Sequence, residues 1–182
     1  MNVFEFSVSG EFNFFKFIPG DEKYVFTPYV TLGVGAFAFN PYTHLDGKKI
    51  FLQPLGTEGQ NISYKDANGR TRKPYKTYAF SMPFGLGIKY NVNKKINMSL
   101  QVVHRLTTTD YLDDVSTTYV GADKFLNDPT TLALQDRSNT KGAAAIGVEG
   151  RQRGWSKQKD QFVIAEIGIA INISGYKCPT NY

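Results

Sequence analysis

The segment TYAFSMPFGLGIKY, residues 77–90, alternates large apolar residues with smaller ones. A period of two is that of a β-strand, whose side chains point in turn to opposite faces. The positions between the large residues are small, apart from Pro83 and Lys89. An unbroken apolar row that begins and ends with an aromatic residue is typical of a strand that crosses an outer membrane. The row consists of Tyr78, Phe80, Met82, Phe84, Leu86, Ile88 and Tyr90.

Four other segments alternate in the same way, so we expect about five strands in this chain. The connections are of two kinds: tight turns at 18–23 and 91–94, and long loops at 41–75 and 111–159. In outer-membrane barrels the short turns face the periplasm and the long loops face outside. We therefore predict an all-β fold, an antiparallel transmembrane β-barrel in the outer membrane with two long extracellular loops and a periplasmic C-terminus. The four segments are residues 3–14, 24–39, 95–107 and 162–173.

A soluble barrel of the lipocalin kind is the alternative, because its strands alternate too, with the apolar face inward. Three features favour the membrane barrel, in which outer-membrane lipid covers the apolar face. The apolar face carries very large residues, and the opposite face carries the small residues and single charges that fill a narrow lumen. The strands exceed the usual length in soluble sheets, and long and short connections alternate strictly.

Bulk composition excludes other classes of protein. Mean hydropathy is negative, and no stretch approaches the roughly 18 consecutive apolar residues of a transmembrane helix. The formal net charge is +5, but basic and acidic residues are mixed along the loops. This distribution is typical of a solvated surface, so nucleic acid is not an expected partner.

The strand count predicts that the barrel is N-terminally incomplete. Bacterial single-chain barrels have an even number of strands, so both termini lie on the same side. Counting back from a last strand that ends in the periplasm places Met1 on the outer side, and an odd number of strands must precede it. Three more strands would give eight, the smallest common barrel. We therefore treat residues 1–182 as most of a single eight-stranded domain.

The small-residue face carries charges, which would lie inside the barrel. Buried charges must be paired, so we expect either a plug of ion pairs or a polar path. Arg105 is in phase with Gln101 and should point inward, with Glu11 or Glu166 as its partner. The candidate ion-pair residues are Glu5, Glu11, Lys89, Arg105 and Glu166.

The sequence offers no arrangement for catalysis or metal binding. His44 and His104 are the only histidines and have no ligand spacing typical of zinc sites. Ser99 and His104 are five positions apart on one strand, hence on opposite faces, and cannot act as nucleophile and base. We expect no cofactor, no small-molecule substrate and no enzyme. Asp128-Pro129 predicts the start of a short helix through Leu134, with Asp as the cap.

Cys178 is the single cysteine and follows the last strand in the sequence GYKCP. An odd cysteine in an exported protein indicates an intermolecular disulfide or a free thiol. On the periplasmic side, which is oxidising, it is a candidate for a disulfide to a partner protein. An incidental thiol in a frayed tail is the alternative.

The loop sequences add a resemblance that spans nearly the whole chain. It is carried by LQPLGTEGQ (52–60), FSMPFGLGIKYNVNKKINMSL (80–100), HRLTTTDYLDDVS (104–116), LQDRS (134–138) and RGWSKQKDQF (153–162). These segments resemble the PorG-like family, small outer-membrane barrel proteins of the type IX secretion system of Bacteroidetes. Two of the motifs, LGTEGQ and LQDRS, are as compatible with a packed loop cap as with ordinary variable loops.

The resemblance implies a non-enzymatic role in protein secretion. Members of the family have a signal peptide and about three further strands upstream, which this chain lacks. Their implied partners are the periplasmic secretion-ring proteins, a lipoprotein and its partner, which the barrel anchors to the outer membrane. Two other functions are considered: a generic structural or surface-binding barrel like the membrane domain of OmpA, and a barrel enzyme that acts on lipid.

Overall fold

The computed structural model describes residues 1–138 and 144–173. Its short helical segments are one α-helix, α1 (Pro129–Gln135), and 3₁₀ turns at Gln60–Ile62 and Ala122–Phe125. No helix within the described ranges is long and apolar enough to cross a membrane. The strands are β1 (Asn2–Asn13), β2 (Phe26–Asn40), β3 (Tyr42–Leu45), β4 (Lys48–Phe51), β5 (Tyr78–Asn91), β6 (Ile96–Thr107) and β7 (Gln161–Ile171).

The five long strands form one sheet in the order β1-β2-β5-β6-β7, so each of them pairs with its neighbour in chain order. The structure is mostly antiparallel β-sheet, as expected for the all-β class, and the long strands match the five predicted segments within about two residues. The described strands do not close into a barrel: β1 and β7 are the two edges of the sheet.

A second, two-stranded sheet was not anticipated from the sequence. β3 and β4 pair antiparallel inside the first long connection, with Leu45 opposite Lys48. The turn between them is Asp46-Gly47, and both residues have positive φ, 50° and 76°. An Asp-Gly pair with both residues in the left-handed region is the usual two-residue hairpin turn, so the signal was present in the sequence.

The apolar rows of the long strands are exposed on one face of the sheet. Phe4 and Phe6 of β1 are each 78% exposed, and Ile167 of β7 is 75% exposed. The opposite face holds the buried residues, among them Thr27 and Tyr29 of β2. A soluble barrel of the lipocalin kind would have the reverse arrangement, with its apolar face turned inward.

The chain divides into two compact units. The first, the loop unit, contains Met1–Phe6, Ala36–Phe80 and Thr107–Asp160. The second, the strand unit, contains Ser7–Gly35, Ser81–Leu106 and the described residues from Gln161 onward.

The loop unit has an ordinary apolar core of aromatic and aliphatic side chains. In α1 the carboxylate of Asp128 accepts hydrogen bonds from the backbone N–H groups of Thr130 and Thr131, both at 3.1 Å. The predicted Asp cap and Pro at the first turn are confirmed. The core residues include Phe37, Phe39, Leu112, Val120, Phe125 and Leu134.

The tight turns of the strand unit are held by side-chain caps. The Asp21 carboxylate accepts from the backbone N–H groups of Lys23 and Tyr24, at 2.7 and 3.0 Å. The side-chain amide of Asn91 donates to the carbonyls of Ile18 and Tyr24, at 2.8 and 3.3 Å. These bonds fix the first turn against the end of β5, so the predicted short connections are ordered.

Candidate functional site

The buried face of the strand unit carries a polar network to which each long strand contributes a side chain. We call it the inner network. It lies on the small-residue face, opposite the exposed apolar rows. Its members are Glu11 on β1, Tyr29 on β2, Lys89 on β5, Gln101 and Arg105 on β6, and Glu166 on β7.

One half of the inner network joins β6 to β7. Gln101 and Glu166 face each other directly in the register of the two strands. The Gln101 amide donates to Glu166 Oε2 at 2.6 Å, and Arg105 Nη2 donates to Glu166 Oε1 at 3.3 Å. The Arg105 guanidinium also lies 5.8 Å from the centre of the Phe162 ring. Arg105 thus pairs with Glu166 on the small-residue face, and the prediction that this face lines a barrel lumen stays a prediction.

The other half joins β1, β5 and β2. Lys89 Nζ forms an ion pair with Glu11. The same ammonium lies 4.6 Å from the centre of the Tyr29 ring, and the Tyr29 hydroxyl donates to Gln101 Oε1 at 3.0 Å. The network is therefore continuous from β1 to β7. Its two acids and two bases balance, and the acids remain partly exposed, Glu11 at 43% and Glu166 at 39%.

Glycine makes room for the network. A Cβ at Gly87 would lie 2.5–2.7 Å from the ring and hydroxyl of Tyr29, closer than any side chain permits. Tyr29 is only 2% exposed, so its ring cannot move aside easily. The small residue at this position of β5 is thus required by the tyrosine that faces it.

The loop unit holds a second polar cluster, which we call the cap cluster and which is centred on Glu58. Glu58 is fully buried. Its Oε1 accepts from the backbone N–H of Ser116 at 3.0 Å and of Thr117 at 3.1 Å, and its Oε2 accepts from the Thr117 hydroxyl at 2.6 Å. Arg153 Nη1, 3.3 Å away, supplies the balancing charge. A buried carboxylate with this many donors organises the loops around it.

Asp114 is the second fully buried carboxylate of the cap cluster. It accepts from the Thr57 hydroxyl at 2.5 Å and from the Tyr75 hydroxyl at 2.7 Å. Burial raises the pKa of Asp114 above its ordinary 3.8, although these hydroxyls and the Arg153 guanidinium act in the opposite direction. Burial also raises the pKa of Tyr75, whose ring stacks on Tyr111 with centroids 4.4 Å apart.

Two arginines link the segments of the cap cluster through backbone carbonyls. Arg72 Nη1 donates to the carbonyls of Glu58 and Thr118, each at 2.8 Å. Arg153 Nη1 donates to the carbonyl of Asp114 at 3.1 Å and to the Thr57 hydroxyl at 2.9 Å. Three chain segments that lie far apart in sequence are joined by these contacts.

The motifs that carry the family resemblance are therefore packed. LGTEGQ buries Thr57, Glu58 and Gln60, and LQDRS buries Gln135 and Asp136. Burial acts to raise the pKa of Asp136, but its hydrogen bonds from Ser138, Gly147 and Ile146 prevail and lower it. Of the two interpretations of these motifs, the packed loop cap is the one observed.

The cap cluster was missed as a site at the level of residues. Its acids and arginine, Glu58, Asp114 and Arg153, stand in loops without periodicity. The only signal in the sequence was the clustering of charged residues with Gly, Thr and Ser inside specific motifs.

The remaining candidates lie elsewhere. Glu5, in the loop unit, is half-buried on the same face of β1 as Glu11. His104 packs against the Phe84 ring at 5.1 Å, whereas Ser99 lies five positions before it, on the opposite face. The described residues contain no group of three or more His, Cys, Asp or Glu side chains arranged to hold a metal ion. Cys178 lies outside the described residues.

Comparison with known proteins finds no matching family, no matching curated protein and no matching solved structure.

Proposed function

We propose that this chain is the larger part of an outer-membrane β-barrel that anchors the periplasmic ring of the type IX secretion system. The observation that carries the membrane assignment is the exposed apolar surface of the strand unit. Three side chains of this surface, Leu86, Ile167 and Ile169, are 68–75% exposed.

Such a surface is unfavourable in water. Full burial of one side chain of this kind stabilises a protein by about 1.5–3 kcal/mol. Soluble monomers rarely expose contiguous apolar patches larger than a few hundred Å². Lipid chains would cover the rows along all five long strands, and the polar residues would remain on the opposite face, as in membrane barrels.

The inner network supports the same assignment. Eight-stranded barrels have a lumen that side chains just fill, and a charge-balanced group of long polar side chains suits that space. Open sheet edges are not tolerated in lipid. Strands added to β1 and β7 would complete the wall, and three more would give the smallest common barrel.

The secretion role rests on the resemblance of the loop and strand motifs to the PorG-like family. The proposed partners are the periplasmic secretion-ring proteins, reached from the tight-turn side and the C-terminus. Cys178 is a candidate for a disulfide to one of them. Replacing it with serine should then remove a larger species from non-reducing gels of native membranes. Identical gels for wild type and Cys178→Ser would eliminate the covalent link.

A structural or surface-binding barrel like OmpA is the second candidate. The packed cap cluster favours it, because a rigid polar cap presents a defined surface. Deletion of the gene separates the two candidates. Loss of type IX cargo from the medium, with a dispersed periplasmic ring, supports the secretion role, and unchanged secretion rules it out.

The membrane assignment has its own test. The full-length protein should fractionate with the outer membrane and migrate differently on gels before and after heating, as folded barrels do. Recovery of the folded protein in the soluble fraction would contradict the assignment, whatever the secretion result.

A further inference from the structure

The loop unit contains an open cleft of about 740 Å³ that neither proposed role uses. Its size lies within the usual range of sites that take small organic molecules. Two aromatic residues, Tyr64 and Trp155, line it together with amide, hydroxyl, carboxylate and ammonium groups. Trp155 is the only tryptophan of the chain, and its side chain is 65% exposed.

The backbone immediately before the exposed tryptophan is held by hydrogen bonds and close packing. The backbone N–H groups of Arg153 and Gly154 both donate to the carbonyl of Thr117 at 2.9 Å. A Cβ at Gly154 would lie only 2.7–2.8 Å from the backbone of Ser116, so the chain is pressed against its neighbour immediately before Trp155. The arrangement fixes the backbone and leaves the indole in solvent, a combination that packing alone does not explain.

The part of the lining around Tyr64 is also held in place. The Tyr64 hydroxyl donates to Glu149 at 2.9 Å, and the Arg72 guanidinium lies 4.9 Å from the centre of the Tyr64 ring. Arg72 is in turn held by backbone carbonyls of the cap cluster. The cleft is therefore preorganised, which reduces the entropy lost when a ligand binds.

The charges of the cleft nearly cancel. Three cations, Lys65, Arg72 and Lys157, line it together with two acids, Asp66 and Glu149. A site for phosphate or nucleic acid would carry a clear excess of cations, and a site for a lipid tail would lack this density of polar groups. The matching ligand has an apolar face for an aromatic ring and neutral groups at its edge that both donate and accept hydrogen bonds.

We propose that this cleft binds a neutral oligosaccharide, with one sugar ring stacked on Trp155 and its hydroxyls bonded to the amides of Asn68 and Gln152. Pyranose rings present a face of C–H groups and an edge of hydroxyls, which is the chemistry required. The proposal is independent of the secretion role, because every residue that lines the cleft belongs to the loop unit.

The test uses the full-length protein in a detergent without a sugar head group, applied to an array of neutral oligosaccharides. Polysaccharide freed from the lipid of outer-membrane lipopolysaccharide is a second probe. Because Trp155 is the sole tryptophan, its fluorescence reports on the cleft directly. We expect a saturable change in emission with at least one sugar, and the two probes distinguish a free glycan from one anchored in the membrane.

Variants decide whether the cleft is responsible. Trp155→Ala should weaken retention on the array about tenfold or more, equivalent to about 1.4 kcal/mol. Trp155→Phe should restore part of the binding. Phe51→Ala is the matched control, since Phe51 is an exposed aromatic residue of the same unit outside the cleft, and it should bind like wild type.

Three results would overturn the proposal. The first is failure of the wild-type protein to retain any sugar on the array or the freed polysaccharide. The second is equal binding by wild type and Trp155→Ala. The third is an emission change with sugar-free phospholipid vesicles only, which would make Trp155 a membrane-interface anchor. None of these results bears on whether deletion of the gene stops secretion.

Discussion

The strand unit and the loop unit differ in the side chains that they bury and expose. The strand unit exposes rows of Phe, Leu and Ile and carries a partly exposed charged network on its other face, whereas the loop unit buries an apolar core together with four carboxylates, two of them completely. In the strand unit the polar groups are placed by period-two geometry, one face of each strand at a time. In the loop unit they are placed by contacts between segments far apart in the chain. Charged side chains are thus paired through strand periodicity in the strand unit and through contacts between distant segments in the loop unit.

The largest effect should come from the cap cluster. Glu58→Gln removes the charge that faces Arg153 and turns an amide toward backbone N–H donors, so the free energy of unfolding should fall by about 3–5 kcal/mol. Trp155 fluorescence during urea unfolding measures the loss in the loop unit. Asp123→Asn is the control: that side chain is 63% exposed in its pair with Lys124, and the loss should stay below about 1 kcal/mol.

If both variants unfold at the same urea concentration, Glu58 is not the centre of the loop unit. The asymmetry between a buried acid and an exposed one would then be lost, and the loops would depend on their apolar core alone.

The inner network should give a smaller effect. Arg105→Leu breaks the pair with Glu166, whose side chain is 39% exposed. Partial solvation reduces the loss, so we expect about 1.5–3 kcal/mol, the range for a hydrogen bond to a charged group. The thermal midpoint of the β-sheet signal in circular dichroism measures it, with the loop change Lys157→Leu as control. Equal midpoints would mean that Arg105 does not stabilise the inner face.

The close approach of Gly87 to the Tyr29 ring should have the next effect on stability. Gly87→Ala places a Cβ against the buried Tyr29 ring and should lower stability by about 1–3 kcal/mol through overpacking. Gly10→Ala is the matched control on β1, since nothing lies within 4 Å of a Cβ there. The control should be neutral or slightly stabilising, because alanine restricts the unfolded chain. A Gly87→Ala protein as stable as Gly10→Ala would show that Tyr29 moves freely.

These comparisons separate what the sequence predicts from what it does not. The five long strands were predicted because Phe80, Leu86 and similar residues alternate without a break, and local geometry alone sets that pattern. The pairing of Arg105 with an acid followed from the same phase. The cap cluster was not predicted, because Thr57 and Asp114 are 57 positions apart and no period relates them. The β3–β4 hairpin was missed although its Asp-Gly turn is a local signal.

The smallest predicted effect is a pH dependence in the loop unit. The pKa of Asp114 is raised from 3.8 by burial, so between that value and the raised one the folded chain holds more protons than the unfolded chain. Stability from this group is therefore greatest below the ordinary pKa and falls as pH rises through the window. Asp114→Asn cannot titrate, so its unfolding free energy, followed by Trp155 fluorescence, should fall less steeply over the same pH range. Parallel curves for the two proteins would exclude Asp114 as a source of the dependence.

The inner network has a consequence for how the strands find their alignment. Gln101 stands directly opposite Glu166, and Ile167 is the next residue of β7. A slip of one residue exchanges the two faces of a strand, so it would carry Glu166 into the apolar surface and leave Gln101 without its acid. A strand in the wrong position thus has a charge among the exposed apolar side chains. The network therefore favours the observed register of β6 and β7 over one displaced by a single residue.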